Sequence, residues 1–127
     1  MQNRGYKRIR FQPERVITYG QNTFAYNSRK KKILIQTYMY PEGILLDYKD
    51  VISFEILEKK DEASAKTQCG ELSLIIRTSK PEHEEITLKY ISTPEDRSGF
   101  VYASAISAAK DVKAVLDGIL AKGHYEK

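Results

Sequence analysis

The sequence predicts a mainly β fold, in which six or seven antiparallel strands form a strongly bent sheet or a small barrel and one long C-terminal helix caps it. Two observations carry this prediction. Between residues 14 and 91, β-branched and aromatic residues recur in short runs that turn-forming residues separate, as in strands joined by short links. Beyond residue 92 the spacing of the apolar residues changes from two to three and four, which indicates an amphipathic helix.

The first three predicted strands follow one another closely, at residues 14–20, 22–27 and 31–38. Asn27 and Ser28 separate the second from the third, and both side chains can bond to the backbone of a turn. We therefore expect a β-hairpin here. Its turn and the start of its return strand carry four consecutive cations: Arg29, Lys30, Lys31 and Lys32.

Four further strands are predicted after the break at Pro41-Glu42-Gly43, at residues 44–48, 51–59, 71–78 and 86–91. The last three alternate, and their expected buried faces are Ile52, Phe54 and Ile56, then Leu72, Leu74 and Ile76, then Ile86, Leu88 and Tyr90. Residues 59–70 are polar and small, which favours an exposed loop or a loose hairpin connection. Asp50 is expected to cap the turn that precedes the strand at 51–59.

The C-terminal helix is predicted from Val101 to a residue before Gly123, with Thr93 or Ser98 as its N-cap. Its apolar stripe is expected to comprise Tyr102, Ala105, Ala109, Val112, Leu116 and Ile119. Such a stripe must cover other apolar surface, and the open end of the sheet is the expected partner. The predicted organisation is a basic N-terminal arm at 1–13, a folded domain at 14–122 and a short tail at 123–127.

Composition narrows the class of protein. The chain has 127 residues, of which 41% are hydrophobic and 30% charged, and this suits one globular domain. No apolar run approaches the ~20 residues that span a bilayer, and the basic start lacks the apolar segment of a signal peptide, so a cytoplasmic location is expected. The single Cys69 and the scattered His83 and His124 form no metal-ligand spacing, so we expect no cofactor and no metal.

Acidic residues offer little sign of catalysis. The residues that come nearest to acid–base pairs are Asp47 with Asp50 and the run Glu82, His83, Glu84 and Glu85. The second set falls in a predicted turn, where a carboxylate run is usually solvated, and no nucleophile accompanies either set. We therefore expect a protein that is not an enzyme and has no catalytic residues.

Charge is distributed unevenly along the chain. Residues 1–32 contain nine Lys/Arg against one acid, a formal charge of +8. The remainder, which we term the acidic body, contains twelve Lys/Arg against sixteen acids, a formal charge of −4. The candidate anion-binding residues are Arg29, Lys30, Lys31 and Lys32 in the hairpin, with Arg4, Lys7, Arg8 and Arg10 in the arm. They suit a nucleic-acid backbone or an acidic membrane surface. Alternatively, the hairpin cations are a solvated turn and the basic arm lies against the acidic body.

Tyrosine is abundant, with nine in the chain. Tyr38 and Tyr40 flank Met39 beside a proline, and aromatic clusters of this kind concentrate at protein interfaces. These three residues are therefore the candidate protein-interface residues. The alternative is that the tyrosines are half-buried on the sheet, where they pack well.

Four segments carry a resemblance to a known family: FAYNSRKKKILIQ, ILLDYKDVISFEILE, GELSLIIRTS and VYASAISAAKDVKAVLDGIL. Together they resemble the bacterial pleckstrin-homology-like (PH-like) domains of bacterial and prophage proteins, over roughly residues 14–121. In that family a Tyr-x-Asp-Ile-x-x-Phe-Glu segment follows the basic hairpin. The residues that match it here are Tyr48, Asp50, Val51, Phe54 and Glu55. The resemblance implies a small barrel with a C-terminal helix that serves as a binding or localisation module.

The accessory elements that relatives often carry, a zinc ribbon, a glycine-rich insertion or a helical module, are not found in this sequence, so their functions do not carry over. A non-enzymatic module that engages a protein partner is the leading expectation. The alternatives are an anion-binding module and a small prophage-encoded inhibitor of a host protein. Whether the chain forms a homo-oligomer is left open by the sequence.

Overall fold

A computed structural model describes residues 11–60 and 68–125, with side chains described as far as residue 121. Within these residues eight strands form two four-stranded antiparallel sheets, and one long helix follows them. The predicted mainly β class with a C-terminal helix is therefore confirmed. A closed barrel is wrong, because the described strands pair within two separate sheets.

The first sheet contains the strands in chain order, β1 (Arg15–Tyr19), β2 (Asn22–Asn27), β3 (Lys32–Gln36) and β4 (Ile44–Asp47). Phe24 lies opposite Ile35, which in turn lies opposite Ile44, so a row of apolar side chains crosses three strands. All three are buried because alternate residues of a strand point to the same face. This face forms one wall of the core.

The second sheet contains β5 (Val51–Lys60), β6 (Gln68–Thr78), β7 (Glu85–Ile91) and the two-residue β8 (Glu95–Asp96). Strand β6 lies between β5 and β7, and β8 pairs with its first residues. The predicted inward residues of β6 and β7 are confirmed as buried: Leu72, Leu74, Ile76, Ile86, Leu88 and Tyr90. This sheet forms the second wall of the core.

Strand β5 departs from the prediction at its start. Ile52 was expected to be buried and is 58% exposed, whereas Val51 is buried. The register against β6 shifts between Val51 and Ser53, so Ile52 occupies an irregularity of the β-bulge type that turns its side chain outwards. Phe54 and Ile56 are half-buried as the alternation predicts.

The predicted polar connection at 59–70 is shorter than expected, because β5 continues to Lys60 and β6 begins at Gln68. Residues 61–67 lie outside the described residues. A 3-10 helix at Tyr48–Asp50 joins the two sheets, and another at Pro81–His83 joins β6 to β7. Asp50 Oδ2 accepts a hydrogen bond of 2.9 Å from the backbone nitrogen of Asp47, so the predicted capping role of Asp50 is confirmed.

Helix α1 (Phe100–Tyr125) begins after Gly99, whose carbonyl oxygen accepts a hydrogen bond from the Ala103 nitrogen. Neither predicted N-cap takes this place, because Thr93 precedes β8 and Ser98 bonds to the Asp96 carboxylate. The helix also continues beyond its predicted end before Gly123. No helix among the described residues is long and apolar enough to cross a membrane.

The apolar stripe of α1 is confirmed in position. Tyr102 is half-buried, and the fully or almost fully buried members are Ala105, Ala109, Val112, Leu116 and Ile119. The helix contacts β1 of the first sheet and all four strands of the second. It therefore covers the core where the two sheets leave it open, which removes apolar surface of both from water.

Candidate functional site

The predicted interface residues lie in the loop that joins β3 to β4. Tyr38 is 76% exposed and Met39 is 72% exposed, whereas Tyr40 is half-buried. The Tyr40 ring meets the His83 ring edge-on, with 5.0 Å between centroids. Of the three candidates, Tyr38 and Met39 are therefore exposed to solvent, whereas Tyr40 packs against the protein.

Backbone hydrogen bonds hold this loop in shape. The Tyr40 nitrogen donates to the Thr37 carbonyl at 3.1 Å, and the Gly43 nitrogen donates to the Tyr40 carbonyl at 3.0 Å. Gly43 has a φ of 100°, which an L side chain rarely adopts. The exposed Tyr38 and Met39 are therefore presented by a loop with its own internal hydrogen bonds.

Tyr38 and Met39 border a groove of about 630 Å³, which we term the tyrosine groove. It lies between the β1–β2 turn, the β3–β4 loop and β7. Three segments distant in sequence contribute its tyrosines, Tyr19, Tyr38 and Tyr90. Sequence reasoning found only Tyr38, since nothing local relates Tyr19 and Tyr90 to it.

The walls of the tyrosine groove are joined across the two sheets. Asn22, almost fully buried, donates from Nδ2 to the Lys89 carbonyl at 2.7 Å. The rings of Tyr19 and Tyr90 lie 5.8 Å apart between centroids and are tilted by 53°. The turn between β1 and β2 has only two residues and begins with Gly20 at a φ of 60°, which suits a tight hairpin.

The chemistry of the tyrosine groove is that of tyrosine side chains with one lysine beside them. Tyr90 is 8% exposed, and burial raises its pKa to about 12. Its phenol makes no hydrogen bond to another described residue. Lys89 is the only charged residue among those described as lining the groove, and its Nζ lies 2.7 Å from Glu71 Oε2. This contact holds the pKa of Glu71 below its usual value.

The basic hairpin tip, residues 27–32, lies at the other end of β3 from the groove loop. The predicted turn is confirmed, since Asn27 Oδ1 accepts hydrogen bonds of 3.0 Å from the backbone nitrogens of both Arg29 and Lys30. Lys31 has a φ of 57°, a left-handed conformation that is uncommon outside glycine and asparagine. Its carbonyl accepts a hydrogen bond of 3.0 Å from the Tyr48 nitrogen.

The cations of the tip differ in their surroundings. Lys32 forms an ion pair with Asp47, directly opposite in β4, and its hydrogen bond lowers the pKa of Asp47. The side chains of Arg29 and Lys30 are exposed and make no ion pair with another described residue. The remaining anion-binding candidates, Arg4, Lys7, Arg8 and Arg10, lie outside the described residues.

A polar cluster that the sequence did not reveal joins β5, the end of β8 and α1. Arg97 Nε donates to Glu58 Oε2 at 2.7 Å, and the Tyr102 hydroxyl donates to Glu58 Oε1 at 3.0 Å. The Arg97 guanidinium also lies 5.9 Å from the centre of the Tyr102 ring. Burial is the main cause of the raised pKa of Tyr102 and of the nearby thiol of Cys69. Because both carboxylate oxygens of Glu58 accept hydrogen bonds within the protein, this cluster has a structural role and links β5 to α1.

The acidic residues considered for catalysis take part in structural contacts or are exposed. Asp47 pairs with Lys32, while Asp50 caps its own turn. Glu82 and Glu84 are exposed around the second 3-10 helix, and Glu85 lies 3.5 Å from Arg77. In the described part of the chain, no three His, Cys, Asp or Glu residues are grouped so as to hold a metal ion.

Comparisons of the chain with protein-family models, with curated protein sequences and with solved structures found no match.

Proposed function

We propose that this protein is a non-enzymatic binding module that engages a protein partner through Tyr38 and Met39 at the rim of the tyrosine groove. The observation that carries the proposal is the exposure of these two large side chains, at 76% and 72%, beside a concave surface. Exposed apolar surface next to a groove is typical of interaction sites.

The loop geometry supports this role. Tyrosine provides a large contact area with only two rotatable side-chain bonds, so fixing it on binding costs little entropy. Methionine adapts to irregular partner surfaces. Because hydrogen bonds of Thr37, Tyr40 and Gly43 already order the loop, less of the binding energy is lost in arranging it.

Membership of the PH-like family is part of the proposal. Its support is the order of the elements, in which a basic hairpin precedes the Tyr48–Asp50 turn, a strand with Phe54 and Glu55 follows, and a helix closes the domain. A small prophage-encoded inhibitor of a host protein is a special case of the same proposal. That special case rests on the resemblance alone.

The test is photo-cross-linking from a photoreactive amino acid placed at position 38 in the full chain. Its control carries the same amino acid at position 100, since Phe100 is 84% exposed and starts α1. We expect an adduct from position 38 that excess unlabelled protein competes away. Excess Tyr38→Ser/Met39→Ser protein should fail to compete.

An adduct of twice the chain mass would identify the partner as a second copy of the protein. The proposal fails if position 38 gives no adduct beyond that of position 100 and light scattering shows only monomer.

Anion binding is the second candidate function, because Arg29 and Lys30 project from a hairpin tip without ion pairs to other described residues. Each cation near an acidic membrane contributes about 1 kcal/mol, and contacts to nucleic-acid phosphates weaken steeply with salt. The Arg29→Ser/Lys30→Ser variant should bind DNA, RNA or anionic vesicles more weakly at low salt. Lys59→Ser/Lys60→Ser removes two charges elsewhere and is the control. Absence of binding by the unaltered protein would exclude this function.

A further inference from the structure

We propose that the tyrosine groove binds a proline-rich segment of the partner in the polyproline II conformation, with an acidic residue beside the prolines. This inference rests on the proposed function, because it assigns the class of partner to the same surface.

The unpartnered phenol of Tyr90 is the first observation. Tyr90 lines the groove, is 8% exposed and makes no hydrogen bond to another described residue. Buried polar groups in folded proteins nearly always have a hydrogen-bond partner, and a missing one is costly. A ligand that brings a hydrogen-bond acceptor into the groove would satisfy this donor.

The hydrogen-bonding character of the groove indicates which ligand suits it. Its described lining residues include Tyr19, Tyr38 and Tyr90, whose side chains carry phenol donors, and they include no carboxylate. A polyproline II helix makes no internal hydrogen bonds, so its carbonyl oxygens are available as acceptors. Proline has no backbone N–H, so such a ligand brings few donors that would need an acceptor from the groove.

The shape of the aromatic surface agrees with this ligand. Tyr38, 76% exposed, and the half-buried Tyr19 provide the accessible aromatic surface of the groove, while the buried ring of Tyr90 packs against Tyr19. A polyproline II helix has three residues per turn, so successive side chains point in different directions and can contact both accessible rings. Its extended conformation is largely formed before binding, which limits the entropy lost. The groove volume of about 630 Å³ lies in the range of ligand-binding clefts.

Charge complementarity determines the flanking residue. Lys89 is the only charged residue among the described lining, and Glu71, which pairs with it, lies outside that lining. A ligand carboxylate can share the ammonium group of the half-exposed Lys89 side chain, whereas a basic ligand would meet a like charge. The contribution is small because the ammonium group already has a partner and is open to water.

The test is selection of a random dodecapeptide phage library on the full chain, followed by fluorescence anisotropy with the enriched peptides. We expect enriched peptides to share prolines with a neighbouring acidic residue, and replacement of those prolines by alanine to abolish binding. Tyr90→Phe, which retains the ring, should weaken binding about three- to tenfold through loss of one hydrogen bond.

Tyr48→Phe is the matched control, since Tyr48 is half-buried, has a pKa that burial raises to about 12 as in Tyr90, and does not line the groove. It should change binding less than twofold. Tyr38→Ser alters an exposed residue and should weaken binding by more than tenfold, which tests the groove even if Tyr90→Phe does not fold.

Enriched peptides without proline, no enrichment, or equal binding by Tyr90→Phe and Tyr48→Phe would each overturn the inference. If position 38 still gives a specific cross-link in that case, the proposed function stands with a different class of partner. If neither peptides nor cross-links are found, both proposals fail together.

Discussion

The side-chain amide of Asn22 donates a hydrogen bond of 2.7 Å to the backbone carbonyl of Lys89, across 67 residues of sequence. Asn22 begins β2 in the first sheet, and Lys89 lies in β7 of the second. Both residues line the tyrosine groove. One partly buried hydrogen bond therefore helps to set the distance between the two walls of the candidate binding surface.

Asn22→Ala should reduce the free energy of unfolding by about 1–3 kcal/mol, because the Lys89 carbonyl then loses its partner in a partly buried place. Urea denaturation measures this change. Gln21→Ala alters the adjacent exposed residue and should stay within about 0.5 kcal/mol. Equal losses in both variants would show that the amide bond contributes nothing specific.

Glu58→Gln should destabilise the protein and lower the pKa of Tyr102 towards its ordinary value. The Glu58 carboxylate accepts a hydrogen bond from the Tyr102 hydroxyl, which adds to the effect of burial in raising this pKa. Urea denaturation and a spectrophotometric titration of the tyrosines follow the two changes. Glu55→Gln removes a more exposed carboxylate, which pairs with Arg77, and is the control. The structural role of Glu58 is contradicted if both variants unfold at the same urea concentration.

Lys32→Met should raise the pKa of Asp47 towards its ordinary value, because the Lys32 hydrogen bond is the largest cause of its depression. A carboxyl group whose pKa is lower in the folded state stabilises the protein fully above the unfolded pKa of about 3.9. That stabilisation is lost as the pH falls through the lower, folded pKa.

NMR titration of the Asp47 carboxyl carbon in both proteins measures the shift. The free energy involved is below about 1 kcal/mol, since both side chains are well exposed. Lys30→Met removes a charge at the same hairpin tip and should leave the Asp47 titration unchanged. If the pKa of Asp47 stays low in the Lys32→Met variant, another group causes the depression.

Leu116→Ala should lower the free energy of unfolding by about 2–5 kcal/mol, since Leu116 is fully buried in the stripe of α1 and its removal leaves a cavity. Val101→Ala changes an exposed position of the same helix and should have an effect within about 0.5 kcal/mol. Thermal or urea unfolding compares them. Similar stabilities would mean that the helix does not pack on the sheets as described.

Tyr90 should contribute to a loss of stability at high pH. Burial raises its pKa to about 12 in the folded protein, above the unfolded value of about 10. The neutral phenol therefore stabilises fully below about pH 10, and the contribution disappears as the pH rises through 12. Tyr90→Phe should remove this share of the alkaline dependence, and unfolding curves between these values measure it. Tyr48→Phe should remove a separate share of the same sign, because burial also raises the pKa of Tyr48 to about 12, so the double variant should lose both shares.

Much of the fold could be predicted because it depends on local patterns. Leu72, Leu74 and Ile76 alternate in sequence, and a strand with one buried face must bury all three. The stripe from Ala105 to Ile119 follows from helical geometry in the same way. The Asn27 turn was also predictable, since its hydrogen bonds reach only two and three residues ahead.

The errors occurred where distant segments decide the outcome. Ile52 is exposed because the register of β5 against β6 shifts beside it, and no property of residues 51–59 alone reveals that shift. The division into two sheets depends on which strand edges pair, and sequence alternation is the same in a sheet and a barrel. The pairing of Lys32 with Asp47, 15 residues further along the chain, is likewise not visible in the run of four cations itself.

The sequence by itself determined the class of the fold, the inward faces of β6, β7 and α1, and the basic hairpin turn. Their physical causes, side-chain periodicity and short-range hydrogen bonds, act within a few residues. Only the tertiary structure decided the groove of Tyr19, Tyr38 and Tyr90, and the contact of Glu58 with Arg97 across 39 residues. These depend on how two sheets and a helix pack, because burial and long-range hydrogen bonds exist only once the chain has folded.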